Sequence, residues 1–326
     1  MIYEIYHETK FEYGAIVTFS HNLARLKPKT CQTQKLLEYN LNISPTPYET
    51  SQFIDYFGNT NNFMLIRESH QSLTVTAISK VERINSEIED EIKKLKEVKI
   101  TFKEVKERLS KFNSEDVLAK HYLFETDSIP TAPEDIKAYV LESFDDNKNL
   151  FESINEFMGR IFKDFKFVSG FSDVTTPIET IFREKKGVCQ DFAQFAISAL
   201  RSIGIPTRYV SGYLETLPPE GKEKLFGADA SHAWFSAYIP GFGWADFDPT
   251  NNKIPNEEYV ILGYGRDYLD IAPLKGVVQS SGYSILGVKV NVQRIEEKQT
   301  IEELESQTLQ AQQTQQIQFQ SQTNQF

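Results

Sequence analysis

Hydrophobic and polar positions alternate with a period of two through residues 2–84, in runs such as IYEIYHETKFEY, KLLEYNLNISP and NFMLIRESHQSLTVTAISKVER. The runs are rich in β-branched and aromatic residues and are separated by turn formers at Pro45-Thr46-Pro47 and Gly58-Asn59. This pattern predicts an antiparallel β sandwich or open barrel over residues 1–90. The period then changes. EIEDEIKKLKEV fits a surface helix or a strand edge equally well. Thr101-Phe102-Lys103-Glu104 has the form of a capping box, and Pro133-Glu134-Asp135 opens a further helix with proline in its first turn. Leu150, Ile154, Phe157, Ile161, Phe162 and Phe165 recur at helical spacing, and core packing accounts for them. A β region followed by mixed helices and strands predicts the α+β class.

A further helix follows Gly187-Val188-Cys189. Phe192, Phe195, Ala196, Ala199, Leu200 and Ile203 repeat at helical spacing, Gly204 ends the run and Pro206 prevents its resumption. Cys189 therefore falls at the first turn. Unpaired backbone N–H groups and partial positive charge there favour a thiolate over a thiol. The same N–H groups suit an oxyanion beside the sulfur. A lone cysteine at such a place is ordinarily a small buried hydrophobe, so its downstream company matters. Ser231–Tyr238 reads as a strand, Pro240-Gly241-Phe242-Gly243 as a turn, and Trp244–Asp248 as the returning strand, stopped by Pro249. His232 and Asp248 are equidistant from Pro240, so a hairpin brings them near one another. A histidine base needs one ring nitrogen on the nucleophile and the other held by an acceptor. Asp246 lies two residues from Asp248 on the same face, and spacing leaves both as candidates for that acceptor.

Composition narrows the function classes. The 326 residues carry a net charge of −11. This acidity disfavours nucleic acid and anionic membrane as partners. Cys31 and Cys189 are the two cysteines, too few for a disulfide framework, and they suggest a cytoplasmic setting. The start, MIYEIYHETKFEY, has no signal-peptide pattern, and no apolar run is long enough to span a membrane. No spacing of metal ligands is visible, so neither metal nor cofactor is expected. The tail from 291 to 326 is rich in Glu and then Gln and is expected to be disordered, with a marginal helix at its start. The sequence leaves the oligomeric state open.

The segments GVCQDFAQFAISALRSIGIPTRYVSGYL and DASHAWFSAYIPGFGWADFDPTNN resemble the transglutaminase-like superfamily, in particular its bacterial branch of cysteine-protease-like proteins. GRDYLDIAPLKGVV is similar to that branch too, as are the N-terminal pieces HETKFEY, RLKPK, DYFGN and ESHQSLTV. The resemblance spans roughly residues 2–290 and leaves out the tail. It implies an N-terminal β domain (1–90) and a papain-like catalytic domain with preceding helices (91–290). It also implies a catalytic triad of Cys189, His232 and Asp248, with Asp246 where the family commonly has a small residue. Gln190, Trp234 and Trp244 are candidate substrate-binding residues, although core packing would explain either tryptophan. The implied activity is acyl transfer from a peptide or protein amide through a thioester, with peptidase or amidase action expected. The alternatives are transglutamination and a non-catalytic peptide-binding module.

Overall fold

The computed structural model describes residues 1–111, 113–216, 226–227 and 229–295. The tail from residue 296 lies outside them. Six strands come first: β1 (Ile2–Val17), β2 (Phe19–Ala24), β3 (Gln34–Ser44), β4 (Glu49–Ile54), β5 (Thr60–Ile66) and β6 (His70–Arg83). Alternation along β6 turns Leu73, Val75 and Ala77 inward. They meet Tyr13 and Val17 of β1, Ala24 of β2, and Met64 and Ile66 of β5 in one apolar layer. The expected sandwich thus forms because a side-chain period of two gives each sheet one oily face.

Helices follow: α1 (Asn85–Glu97), α2 (Phe102–Ser110), α3 (Glu134–Leu141) and α4 (Leu150–Asp164). The ambiguous charged stretch is α1, anchored by buried Ile88 and Leu95. The capping box at α2 is complete: the Thr101 hydroxyl accepts from the Glu104 N–H, and Glu104 accepts from the Thr101 N–H at 2.7 Å. On α4, Leu150, Ile154, Phe157 and Ile161 are buried, as is Phe165 just beyond it, but Phe162 is 50% exposed. It falls one position off the inward stripe.

Beyond α4 come β7 (Lys166–Phe167), α5 (Ile178–Glu184), β8 (Lys186–Gly187), α6 (Cys189–Ser202), β9 (Thr207–Leu214), β10 (Ser231–Ile239), β11 (Gly243–Phe247), β12 (Tyr259–Gly265), α7 (Tyr268–Ile271), β13 (Leu274–Gln279) and β14 (Ser284–Ile295). A third antiparallel sheet has the order β11-β10-β9-β12. Its one face packs Ala233, Phe235, Ala237 and Ile239 against α6. Its other face carries Val210, Trp234, Tyr259 and Ile261. The chain then returns to the sandwich: β14 adds to the edge beside β1, and β13 to the edge beside β2. Residues 274–290, read from sequence with the second domain, thus hydrogen-bond within the first. Residues 291–295, read as tail, complete β14.

Sandwich and third sheet are joined by an apolar cluster that includes Tyr3, Ile5, Val81 and Val292 on one side and Tyr213, Val260 and Leu262 on the other. Two side-chain amides also stand in for a neighbouring strand along β12. Gln34 donates to the Ile261 carbonyl and accepts from its N–H, both at 2.8 Å. Asn59 donates to the Tyr264 carbonyl at 2.6 Å and accepts from its N–H at 3.0 Å. These pairs bond backbone groups on the free edge of β12 beside a bulge at Ile261/Gly263, where the Ile261 carbonyl also accepts the Lys29 N–H at 3.3 Å.

Gly212 on β9 fixes how closely Trp234 can approach. A Cβ there would lie 2.2 Å from the Val260 carbonyl oxygen and 2.5 Å from the Trp234 ring. The backbone on one side cannot yield, so overpacking governs the result. Gly212→Ala is expected to cost about 2–3 kcal/mol of stability, read as a lowered denaturant midpoint with an unchanged slope.

Candidate active site

Cys189 is the first residue of α6, which is buried along nearly its whole length. Aromatic and alanine side chains anchor that helix in the main core, and this fixes the position of its N-terminal turn. Asp191, in the first turn, accepts the Val188 N–H at 2.7 Å and the Ser172 hydroxyl. It is only 3% exposed. Burial pushes its carboxyl up, against the lowering from Ser172 and Val188. Asp191 thus serves the helix N-terminus, where a carboxylate is favoured. Gly187 makes room for it: a Cβ there would lie 2.8 Å from the Asp191 carboxylate. Cys189 and Gln190 are both half-buried at the surface end of the helix.

His232 is the second residue of β10 and is 9% exposed. Its Nε2 bonds Asp248 Oδ2 at 2.8 Å. With Nε2 taken by Asp248, Nδ1 is the ring nitrogen left for the Cys189 sulfur, which lies close enough to raise the imidazole pKa. Burial lowers the imidazole pKa, but the hydrogen bonds and charges of Asp248 and Cys189 outweigh it and push it up to about 10. The ring is therefore an imidazolium across the neutral range.

Asp248 lies just past the end of β11 and has no exposed surface. Five donors surround its two oxygens. Oδ2 accepts from His232, from the Tyr259 hydroxyl at 2.7 Å and from the Asn251 amide at 2.7 Å. Oδ1 accepts the Thr250 N–H at 2.9 Å and the Asn251 N–H at 3.4 Å. Burial raises the carboxyl pKa, but the His232 bond and charge, with Asn251 and Tyr259, bring it below the ordinary value. Burial and the neighbouring carboxylate raise Tyr259, so its hydroxyl remains a donor.

Register separates the two aspartates. Ser236 pairs with Asp246 and Phe235 with Phe247. One two-residue step along the same face takes the chain from Asp246, which accepts the Trp234 indole N–H at 3.0 Å, to Asp248, which holds His232. Trp234, a candidate substrate contact from sequence, has no exposed surface and is corrected to a packing residue: its ring backs His232 at a centroid distance of 5.9 Å and Tyr259 at 5.4 Å. Trp244 pairs with Tyr238, six residues beyond His232, about 20 Å along the strand. There the Arg208 guanidinium lies over its ring and Tyr122 meets it edge to face, away from the sulfur. Gln190 alone of the three adjoins Cys189. Sequence reasoning did not single out Asn251 and Tyr259. The Asp-Pro-Thr-Asn turn signals the first through its Asx geometry; nothing local signals the second.

Tyr259→Phe removes one donor from a buried carboxylate without removing the ring. If the triad is catalytic, turnover is expected to fall about 10-fold with KM little changed, consistent with the loss of one charge-assisted hydrogen bond. Steady-state kinetics on a peptide amide would show it.

Among the described residues, no helix is long and apolar enough to cross a membrane. Residues 3–82 match the family description "Bacterial transglutaminase-like N-terminal region", and residues 137–249 match "Transglutaminase-like superfamily". An uncharacterised protein of Mycobacterium tuberculosis is 32% identical over 295 residues, covering 89% of this chain and 92% of its own. One from Mycobacterium leprae is 29% identical, with coverage of 89% and 98%. A solved structure of a Cytophaga hutchinsonii protein, described as a candidate cysteine protease, superposes with a TM-score of 0.68 at 19% identity and covers 91% of this chain and 92% of that one. That likeness concerns the fold.

Proposed function

Because this chain belongs to the transglutaminase-like superfamily, we propose that it is a thiol-dependent acyl-transfer enzyme that hydrolyses peptide or side-chain amides, with Cys189 as nucleophile, His232 as acid and base, and Asp248 as the group that orients the base. One observation carries the reading. A histidine near the start of a strand bonds a fully buried carboxylate and lies close enough to a cysteine at a helix N-terminus to feel its charge. A buried charged pair of this kind costs desolvation; a catalytic ion pair gives it a use.

The Cys189 thiolate attacks the amide carbonyl carbon. The oxyanion formed is met by the free N–H groups of the first turn of α6. His232 passes its Nδ1 proton to the leaving nitrogen, the C–N bond breaks, and a thioester remains. Water then attacks the thioester while His232 takes up its proton, and the acid leaves as the thiolate is restored. Half-buried Cys189 and Gln190 leave the thioester within reach of water, which favours hydrolysis over transfer to an amine. Two free thiols fit a reducing, cytoplasmic setting.

Incubation with a dansylated amine and a glutamine-rich protein such as casein, with Cys189→Ala as control, separates the outcomes. Peptide fragments or ammonia, lost in the control, support hydrolysis. Dansyl-labelled protein supports transglutamination. Neither product, together with iodoacetamide modifying Cys189 no faster than a free thiol, would leave a non-catalytic peptide-binding module.

A further inference from the structure

On the face of the third sheet opposite α6 lies a cavity of about 250 Å³, lined by the Cys31–Thr33 turn, α1 and strands β9 to β12. Cys189, His232 and Asp248 do not line it. Four charged side chains do: Arg83, Arg208, Glu91 and Asp246. Arg83 is 4% exposed; its terminal nitrogens donate to Thr33, Gln34 and the Asn256 carbonyl, but its buried Nε–H has no acceptor. The Arg208 guanidinium lies over the rings of Tyr264 and Trp244, at 3.6 and 4.4 Å from their centroids. It makes no hydrogen bond or ion pair among the described residues, and its buried Nε is unpartnered too. Glu91, on the solvent-facing side of α1, accepts none either. Asp246 uses one oxygen for Trp234. Apolar side chains such as Ile88, Ile92 and Ile254 line the remainder.

Buried guanidinium N–H groups without acceptors are costly unless an acceptor arrives. A planar, stacked arginine is preorganised for a carboxylate. Two cations and two anions line the space, so the charge-balanced guest carries both signs. We propose that this cavity binds a free α-amino acid with an apolar side chain. Its carboxylate meets Arg83 and Arg208, its ammonium meets Glu91 and Asp246 nearer the mouth, and its side chain takes the apolar wall. Trp234 and Tyr259 also line the cavity, so the guest lies one side chain behind His232 and Asp248. The assignment does not depend on the catalytic reading.

The test uses the full chain with Cys189→Ser, so that Cys31 is its one thiol and no amide can be cleaved. Calorimetry with L-leucine is expected to show saturable binding. N-acetyl-L-leucine lacks the ammonium and L-leucinamide lacks the carboxylate; each is expected to bind at least about 10-fold more weakly. Glu91→Gln, on an exposed helix face, and Arg208→Gln are each expected to weaken leucine by about 10-fold. Leucine is also expected to slow alkylation of Cys31, which lines the cavity. Absence of binding at about 10 mM leucine would overturn the proposal. Equal binding of the acetylated compound, or binding that leaves Cys31 unprotected, would overturn it as well.

Discussion

Cys189→Ala and His232→Gln are each expected to lower kcat/KM for amide hydrolysis by about 10⁴-fold or more, and the double variant to be no worse than either alone. The reason is that the two groups work as one device. In the proposed mechanism the sulfur attacks as a thiolate beside the imidazolium, and that same imidazolium gives its proton to the leaving nitrogen. Removing either member removes attack and protonation together, so the losses do not multiply. The measurement is a double-mutant cycle on one peptide amide. Losses that multiply would mean that Cys189 and His232 act independently, and the proposed mechanism would be wrong.

Asp248→Asn is expected to reduce turnover by about 10³-fold and also to destabilise the fold. Asp248 is encircled by donors alone: His232, Tyr259 and Asn251 at one oxygen, and two backbone N–H groups at the other. Asparagine is almost isosteric but presents an NH₂ to one of these groups. Donor then faces donor in a fully buried place, at a cost of about 1–3 kcal/mol. The pH dependence has a definite sign. His232 is raised from 6.5 to about 10 in the folded chain, so its contribution to stability is full below 6.5 and is lost as pH rises through 10. Asp248 is lowered from its ordinary 3.8, so its contribution is present above that value and is lost as pH falls through the folded value. The stability gap between parent and Asp248→Asn is therefore expected to be widest from about pH 5 to 6.5 and to narrow toward pH 10. Denaturant titrations across that range measure it. A gap that widened above pH 8 would contradict the ion pair.

Much of the fold was legible because local rules carried it. Alternation in residues 2–84 gave the sandwich strands. The apolar stripe from Phe192 to Ile203, with Gly204 and Pro206 behind it, placed Cys189 at a helix start. The capping box at Thr101 needed only four residues. The charged stretch at 85–97 stayed ambiguous because its few apolar positions fit two periods, and only contact through Ile88 and Leu95 makes it a helix. Phe162 was assigned to the core by spacing, yet half of it faces solvent, because one helical position shifts a side chain by about 100°.

Sequence alone determined the chemical inventory: one sulfur at a helix terminus, one imidazole opening a strand, and two carboxylates on a returning strand. Tertiary structure decided how that inventory pairs. It gave Asp248 to His232 and Asp246 to Trp234, closed Trp234 off from solvent, carried Trp244 away from the sulfur, added Asn251 and Tyr259 around the buried carboxylate, and sent residues 274–295 back into the first two sheets. Helix starts and strand periods are set by neighbours within a few residues. Hydrogen-bond partners and burial, by contrast, depend on strand register and on which layers stack, and these are fixed by contacts between positions hundreds of residues apart, such as Gln34 with Ile261.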